Sequence, residues 1–428
     1  MSTTETNNTD IQKTTLPHGI RVISEEMSHV RSVAVGVWID AGSRAETDEE
    51  SGISHFVEHM VFKGTSNRSA DDIACSIDSI GGQLDAFTTK ETVAFTAKVL
   101  DEHLPRALDV VSDLVLNPAF RDEDIVREKG VVLEELKMEE DNPDYLIHEM
   151  FISNFWKSHA LGRTIIGTKE TIHSFQSPQL REFFGRTYRP ANLMITAAGN
   201  VEHSQLVELV EERFGHLSGQ SAPVTTSEPE PHAAISLRDK PSLEQVHVCI
   251  GVPAYAMTHP RRYAGYVLNT VLGGGISSRL FLKIREHEGL AYSVFSDLSV
   301  YSDTGYMSVY AGTSLDTTEQ VIEHVLAELK NLKTKSVGAD ELRRAKDHLK
   351  GSLTLSLEST TSRMSNLARQ EKYFQRFLSL DELNEQIEQV TAENILEVAN
   401  DWFHQERVAL AVLGSLNGFQ VNREQLAF

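Results

Sequence analysis

His55, Glu58 and His59 fall in the stretch SGISHFVEHMVFKGT (51–65). On a helix, positions i and i+4 project from one face, so both imidazoles can reach a single metal ion. Glu58, one turn from His55, lies along the same stripe, close enough to take a proton from an attacking water. The chemistry this pattern allows is metal-assisted hydrolysis: zinc held by two imidazoles and a carboxylate, with a fourth position open. The carboxylate must come from elsewhere. The richest source is DEDIVREKGVVLEELKMEE (122–140), which reads as a helix. Glu128 and Glu135 are seven apart, nearly two whole turns, and share a face; Glu134 points about 100° away from Glu135. A helix that presents Glu135 to the metal could keep Glu128 beside the site, and Glu139 is a weaker competitor.

A His pair at i,i+4 is, in isolation, more often surface decoration than a site. Here the flanks Ile53, Phe56, Val57, Met60, Val61 and Phe62 are heavily apolar. Polar groups inside such a helix are partly buried and need partners. That favours ligation. Glu128 alone reads as the solvated face of a charged helix. QLDAFTTKETVAF (83–95) alternates as an edge strand does, and an extended peptide could pair with it main chain to main chain. Ala86 and Phe87 are then candidate contacts; the competing reading is an ordinary sheet strand. The glycines at 273–275 are no phosphate loop, because no GK[ST] follows. A flexible gate or a peptide contact suits them better.

These residues need elements to hold them. NLMITAAGNV (192–201) and VALAVLGSL (408–416) are similar strands ending in Gly-Asn and Gly-Ser, each preceded by an amphipathic helix. SVAVGVWIDAG (32–42) and QVHVCIGVPAY (245–255) match less closely at a similar offset. An internal duplication is therefore expected. SGQSAPVTTSEPEPH (218–232) has linker composition, giving domains 1–217 and 233–428. Strand and helix runs alternate too irregularly for a doubly wound sheet, so the expected class is α+β.

At 428 residues the chain exceeds one ordinary core, and its 40% hydrophobic and 24% charged residues are those of a globular protein. No run is apolar enough to cross a bilayer, and the polar start MSTTETNNTDIQ has no secretory pattern, so a cytoplasmic location is expected. The 40 basic residues against 62 acidic ones give −22, which argues against nucleic acid or an anionic membrane as partner and favours basic ligands. Simple solubility explains that charge equally well. Cys75 and Cys249 are expected as buried reduced thiols, since two such cysteines make no disulfide framework.

H-x-x-E-H reverses the order of the commoner H-E-x-x-H zinc-protease helix, and it is the inverzincin pattern. GISHFVEHMVFKGT, the 75 residues between His59 and Glu135, and EKGVVLEELKM together resemble the pitrilysin/insulinase-type zinc metallopeptidases, closest to their mitochondrial processing peptidase-like branch in bacteria. SIGGQLDAFTTKETVAF (79–95) resembles that family's edge strand and turn. LGGGISSRLFLKIREHEGLAYSV (272–294) is similar to its glycine-rich loop with an Arg/Tyr pair, here Arg285 and Tyr292.

The resemblance implies two homologous α+β halves facing each other like a clamshell, with one zinc per chain on His55, His59 and Glu135. Glu58 is then the general base and Glu128 assists catalysis. Spacing alone would make Tyr292 a core tyrosine and Arg285 a surface arginine; the resemblance instead implies that they hold the substrate carbonyl or the oxyanion. The implied activity is endopeptidase cleavage of extended or unfolded peptides, possibly basic ones. Because the chain carries both sets of groups, the resemblance also implies an active homodimer. A catalytically silent partner subunit is the alternative, although such relatives typically lose a ligand or the base. One departure is Asp85, where relatives often carry Asn.

Overall fold

The computed structural model describes residues 3–6, 10–218 and 227–428. The expected linker falls largely on residues 219–226, outside the described residues. Among the described residues twelve strands form two mixed sheets with helices packed on them, in agreement with the α+β expectation.

The first sheet contains β1 (Thr3–Thr6), β2 (Ile11–Thr15), β3 (Arg21–Glu26), β4 (Ser32–Ile39), β5 (Gln83–Thr88), β6 (Val93–Leu100) and β7 (Leu193–Gly199). Its order is β1-β2-β3-β7-β4-β6-β5. The second contains β8 (Ile235–Asp239), β9 (Val246–Ala254), β10 (Ala291–Val300), β11 (Gly305–Thr313) and β12 (Ala409–Gly414), in the order β10-β11-β9-β12-β8. Reading β5-β6-β4-β7-β3 against β10-β11-β9-β12-β8, the two patterns coincide strand for strand. Each has one parallel pair, β3 with β7 and β8 with β12. The strands in which the sequence suggested a repeat occupy equivalent places.

Both sheets are covered on both faces, which explains why β4, β7, β9 and β12 are almost continuously apolar rather than alternating. In the first, helices Ile53–Val61, Leu104–Leu116, Ser177–Thr187 and His203–Phe214 contribute to one core with Val35, Val37, Phe95 and Ile195. Its other face, with Ile23, Ala34, Trp38 and Met194, is closed by Met364, Leu367 and Ala368 of helix Thr360–Phe374.

The chain accordingly forms two compact units that are discontinuous in sequence. One comprises residues 1–136, 163–226 and 356–379; the other comprises 137–162, 227–355 and 380–428. Relative to 1–217 and 233–428, a helix has moved in each direction. Thr360–Phe374 lies in the first unit, and Pro143–Phe155 packs Ile147, Phe151 and Phe155 against Cys249, Tyr306 and Ala411 in the second. An amphipathic helix carries no mark of which sheet its apolar face will cover.

Two local expectations are corrected. The segment 83–95 is not one strand: β5 ends at Thr88, Thr89 and Thr92 close a turn (Thr89 N–H to Thr92 O, 2.8 Å), and β6 follows. Cys75 is exposed on helix Ala70–Asp78, because its polar neighbours put that face toward solvent; Cys249 is buried in β9, where burial pushes its thiol up.

Candidate metal centre

His55, Glu58 and His59 ride on helix Ile53–Val61, whose apolar side (Ile53, Phe56, Val57, Met60, Val61) is buried in the first core. That burial fixes the rotation of the helix and turns the polar stripe outward. The helix begins at Gly52, whose φ of 92° and whose closeness to Ile166 O (2.5 Å from a built Cβ) leave no room for a side chain. With no side chain at the cap, the first turn is held from Glu46: its carboxylate accepts from Gly52 N (2.9 Å) and Ser54 N (2.8 Å). Glu46 is 5% exposed, and burial outweighs those bonds and Arg163 to push its carboxyl up to about 7. Beyond the helix, Thr65 donates to buried Asp113 (2.6 Å), which also accepts from Asn67, Arg68 and Asn117.

Helix Asp122–Asp141 brings its glutamates to this stripe. Glu135 Oε1 lies 3.6 Å from His55 Nε2, and Oε2 lies 3.4 Å from His59 Nε2. One ligand atom from each of the three residues lies within 4.8 Å of the others. A tetrahedral ion with bonds of about 2.0–2.1 Å spaces its donors roughly 3.3–3.5 Å apart, so the set fits zinc by donor type and, at the two contacts of Glu135, by separation.

Glu128 accepts the other ring nitrogen of His59 (Nδ1 to Oε1, 2.9 Å), which leaves Nε2 to face Glu135. Lys63 Nζ meets its second oxygen at 2.9 Å. Glu128 is 3% exposed. Burial would raise its carboxyl, yet His59 and Lys63 hold it below the usual range. Glu135 is held well below by hydrogen bonds from His55 and His59. Burial opposes protonation of His59, but bonds to Glu128 and Glu135 prevail and lift it to about 9. The donor set therefore gathers a proton when it holds no cation. Among the described residues, His55 Nδ1 is by contrast buried without a hydrogen-bond partner.

Glu58 is partly buried beside these groups, and burial raises its carboxyl against the pull of Thr88 and the two imidazoles. Thr88 Oγ1 donates to Glu58 Oε2 at 2.5 Å, tying the end of β5 to the carboxylate. Thr88 and Ala86 share the helix-side face of β5. Phe87, also expected at a peptide contact, projects to the opposite face and meets Trp38 edge-on, ring centroids 5.8 Å apart, because successive strand residues alternate sides.

Arg285 and Tyr292 belong to the second unit. Seven apart, they do not share a helix: Arg285 lies in the π-helical turn Phe281–His287, whereas Tyr292, beyond Gly289 with its positive φ of 63°, is the second residue of β10. The guanidinium stacks between Phe281 and Tyr292, 4.8 Å from each ring centroid, while Tyr292 is 78% exposed. Gly273 approaches Ser296 closely (a built Cβ would sit 2.4 Å from its N), so this glycine serves backbone packing.

Sequence reasoning missed Lys63, Thr88 and Glu46. Lys63 sits four residues after His59, a spacing that could have revealed it. Thr88 continues the alternation from Ala86. Glu46 has no such signal among the acids of its loop.

The chain also has relatives among known proteins. Residues 21–169 match the family pattern described as insulinase (peptidase family M16), and residues 174–349 match that described as peptidase M16 inactive domain. An uncharacterized zinc protease of Bacillus subtilis, YmxG, is 42% identical over 403 residues, covering 94% of this chain and 98% of that protein. One from Streptomyces coelicolor is 38% identical, covering 96% and 91%. Among solved structures, a protease from Helicobacter pylori superposes with a TM-score of 0.88 at 22% identity, covering 94% of this chain and 99% of that one. With two family patterns in tandem and relatives matched along nearly their whole length, the chain belongs to the insulinase family, peptidase family M16.

Proposed function

We propose that this protein is a zinc-dependent endopeptidase that cleaves extended or unfolded peptides. The observation that carries this reading is the convergence of His55, His59 and Glu135 from two helices, with the carboxylate of Glu58 beside them. A zinc ion held by those three groups supplies a Lewis acid that polarises the scissile carbonyl and makes water easier to deprotonate. Glu58 takes the proton from the attacking water and later passes it to the leaving amine; its raised carboxyl suits both steps. Glu128, held by Lys63, orients His59 through Nδ1. The open edge of β5 offers main-chain partners to an extended peptide, and Arg285 and Tyr292 are assigned to its carbonyl or to the developing oxyanion.

Keeping all of these groups in one chain favours an active homodimer of the processing peptidase-like branch over a silent partner subunit. Among the described residues no helix is long and apolar enough to cross a membrane, and a cytoplasmic location is part of this reading.

Quenched-fluorescence peptides test it. Zinc-loaded native protein should turn them over and chelator should stop it. Glu58→Gln should keep the metal while losing at least about 100-fold in kcat. Equal turnover by Glu58→Gln would sink the mechanism. No turnover by zinc-loaded native protein across a broad peptide library would favour the silent subunit. Tyr292→Phe should lower turnover at constant zinc content.

A further inference from the structure

β5 is the outer strand of its sheet and pairs only with β6 among the described residues. The ladder shows which of its backbone groups are open. Thr89 N–H bonds Thr92 O across the turn, and hydrogen-bonded pairs then alternate along an antiparallel ladder. Phe87 and Asp85, opposite Ala94 and Thr96, therefore direct their N–H and C=O toward β6. Leu84, Ala86 and Thr88 direct theirs to the free edge. Thr88 is also the residue that holds Glu58, so this edge leads to the metal centre.

One of those outward groups is already engaged. The N–H of Ala86 donates to the side chain of its neighbour, Asp85 Oδ1, at 2.9 Å. Asp85 is exposed, and no Lys, Arg or His forms an ion pair with it among the described residues. A carboxylate thus stands in the lane that an added strand would occupy, covering a donor that the strand would need. A peptide pairing there must displace it, and the displaced charge then lies beside the peptide without a cation of its own.

We propose that Asp85 is a latch that selects basic peptides: an incoming strand takes over the Ala86 N–H, and the released carboxylate pairs with a Lys or Arg side chain of that strand. This rests on the endopeptidase reading only in taking an extended peptide as the occupant. A neutral peptide displaces the same bond and gains no replacement. An acidic one meets repulsion. Latch and selection come from a single side chain, which also blunts the open edge against unwanted pairing.

The test compares matched quenched peptides carrying Lys, Ala or Glu at each position in turn, on zinc-loaded native protein, Asp85→Asn and Asp85→Ala. Binding of the same peptides to the Glu58→Gln protein, with and without Asp85→Asn, is followed by fluorescence anisotropy. At one position native protein should prefer Lys over Ala by roughly fivefold at low salt, the scale of an exposed ion pair, and the preference should fade at high salt. Asp85→Asn, which can still accept the N–H, should abolish the preference in both assays. Asp85→Ala should in addition bind the Ala peptide more tightly than Asp85→Asn does, because the latch is gone. An unchanged Lys preference in Asp85→Asn, or none in native protein, overturns the proposal while leaving the endopeptidase reading standing. Charge-selective binding without turnover by any zinc-loaded protein supports the latch and overturns the endopeptidase reading. Neither binding nor turnover overturns both.

Discussion

Helices Ile53–Val61 and Arg262–Leu272 follow equivalent strands, β4 and β9, in sheets of matching order. Both bury one apolar stripe, and both carry polar side chains at i, i+3 and i+4. In the first these are His55, Glu58 and His59; in the second they are Tyr266, Asn269 and Thr270. The second set is turned to local bonding: Thr270 donates to Tyr266 O (2.9 Å), and the Asn269 amide reaches Ser296 O (3.5 Å). The first set instead meets two glutamates of a second helix. Their starts differ too. Buried Glu46 holds the first turn of one helix, whereas no side chain caps the other at Arg261. One scaffold, used twice, supports a site only where the polar stripe is faced by matching donors and where the helix start is pinned from outside.

Removing a member of each stripe should produce the largest contrast. His59→Ala should lose zinc binding by about 1,000-fold or more, measured as metal per chain after dialysis against a weak chelator. Asn269→Ala should keep its zinc and shift thermal stability by about 1 kcal/mol or less. Zinc loss in Asn269→Ala would mean that the two helices are coupled, and the contrast drawn above would fail.

A smaller effect follows from the proton that the donor set gathers when no cation is bound. His59 stands at about 9 without metal, so below that pH zinc must displace a proton. Apparent zinc affinity should fall about tenfold for each pH unit between pH 8 and 6, read by competition with a chelator of known affinity. A flat profile would show that His59 is not a ligand.

The smallest effect concerns the pinned helix start. The Glu46 carboxyl is raised in the folded protein, from 4.5 to about 7. Between those values the folded chain keeps a proton that the unfolded chain has released. Its contribution is therefore complete below about 4.5 and lost as pH rises through about 7, worth up to roughly 3 kcal/mol. Glu46→Gln should flatten that part of the stability profile, seen in thermal midpoints at pH 5 and 7.5. An identical slope in the variant would show that Glu46 does not titrate there.

The parts of this design legible in the sequence are those with a period. The stripe His55–Glu58–His59 follows helical spacing, as does the Glu128–Glu135 face, and the apolar runs of β4, β7, β9 and β12 announce buried strands. What was not legible depends on partners distant in the chain. Thr88 gains its role only because β5 passes Glu58, and Glu46 only because its loop folds back onto Gly52 and Ser54. Phe87 was placed with Ala86 because both lie in one edge segment, yet the pleat sends them to opposite faces. Cys75 reads from the sequence as a buried thiol, yet its helix turns that position outward.

The exchanged helix also bears on how this protein is made. Trp38, Met194 and Ala198 form a face of the first sheet that Met364, Leu367 and Ala368 of Thr360–Phe374 close, together with Phe377 just beyond it. That closure is polar as well as apolar: Arg363 meets Glu25, Lys372 meets Asp40 (2.6 Å), and Glu371 meets Lys13 (2.9 Å). A ribosome synthesising the chain from its N-terminus releases the helices that carry His55, His59 and Glu135 long before it releases the helix that closes the opposite face of their sheet. The first unit must wait with an apolar sheet face open until nearly nine-tenths of the chain has emerged, a period in which it is open to aggregation or to a chaperone. A truncated chain ending before residue 360 would carry every proposed metal ligand and still lack the means to finish the sheet that supports them.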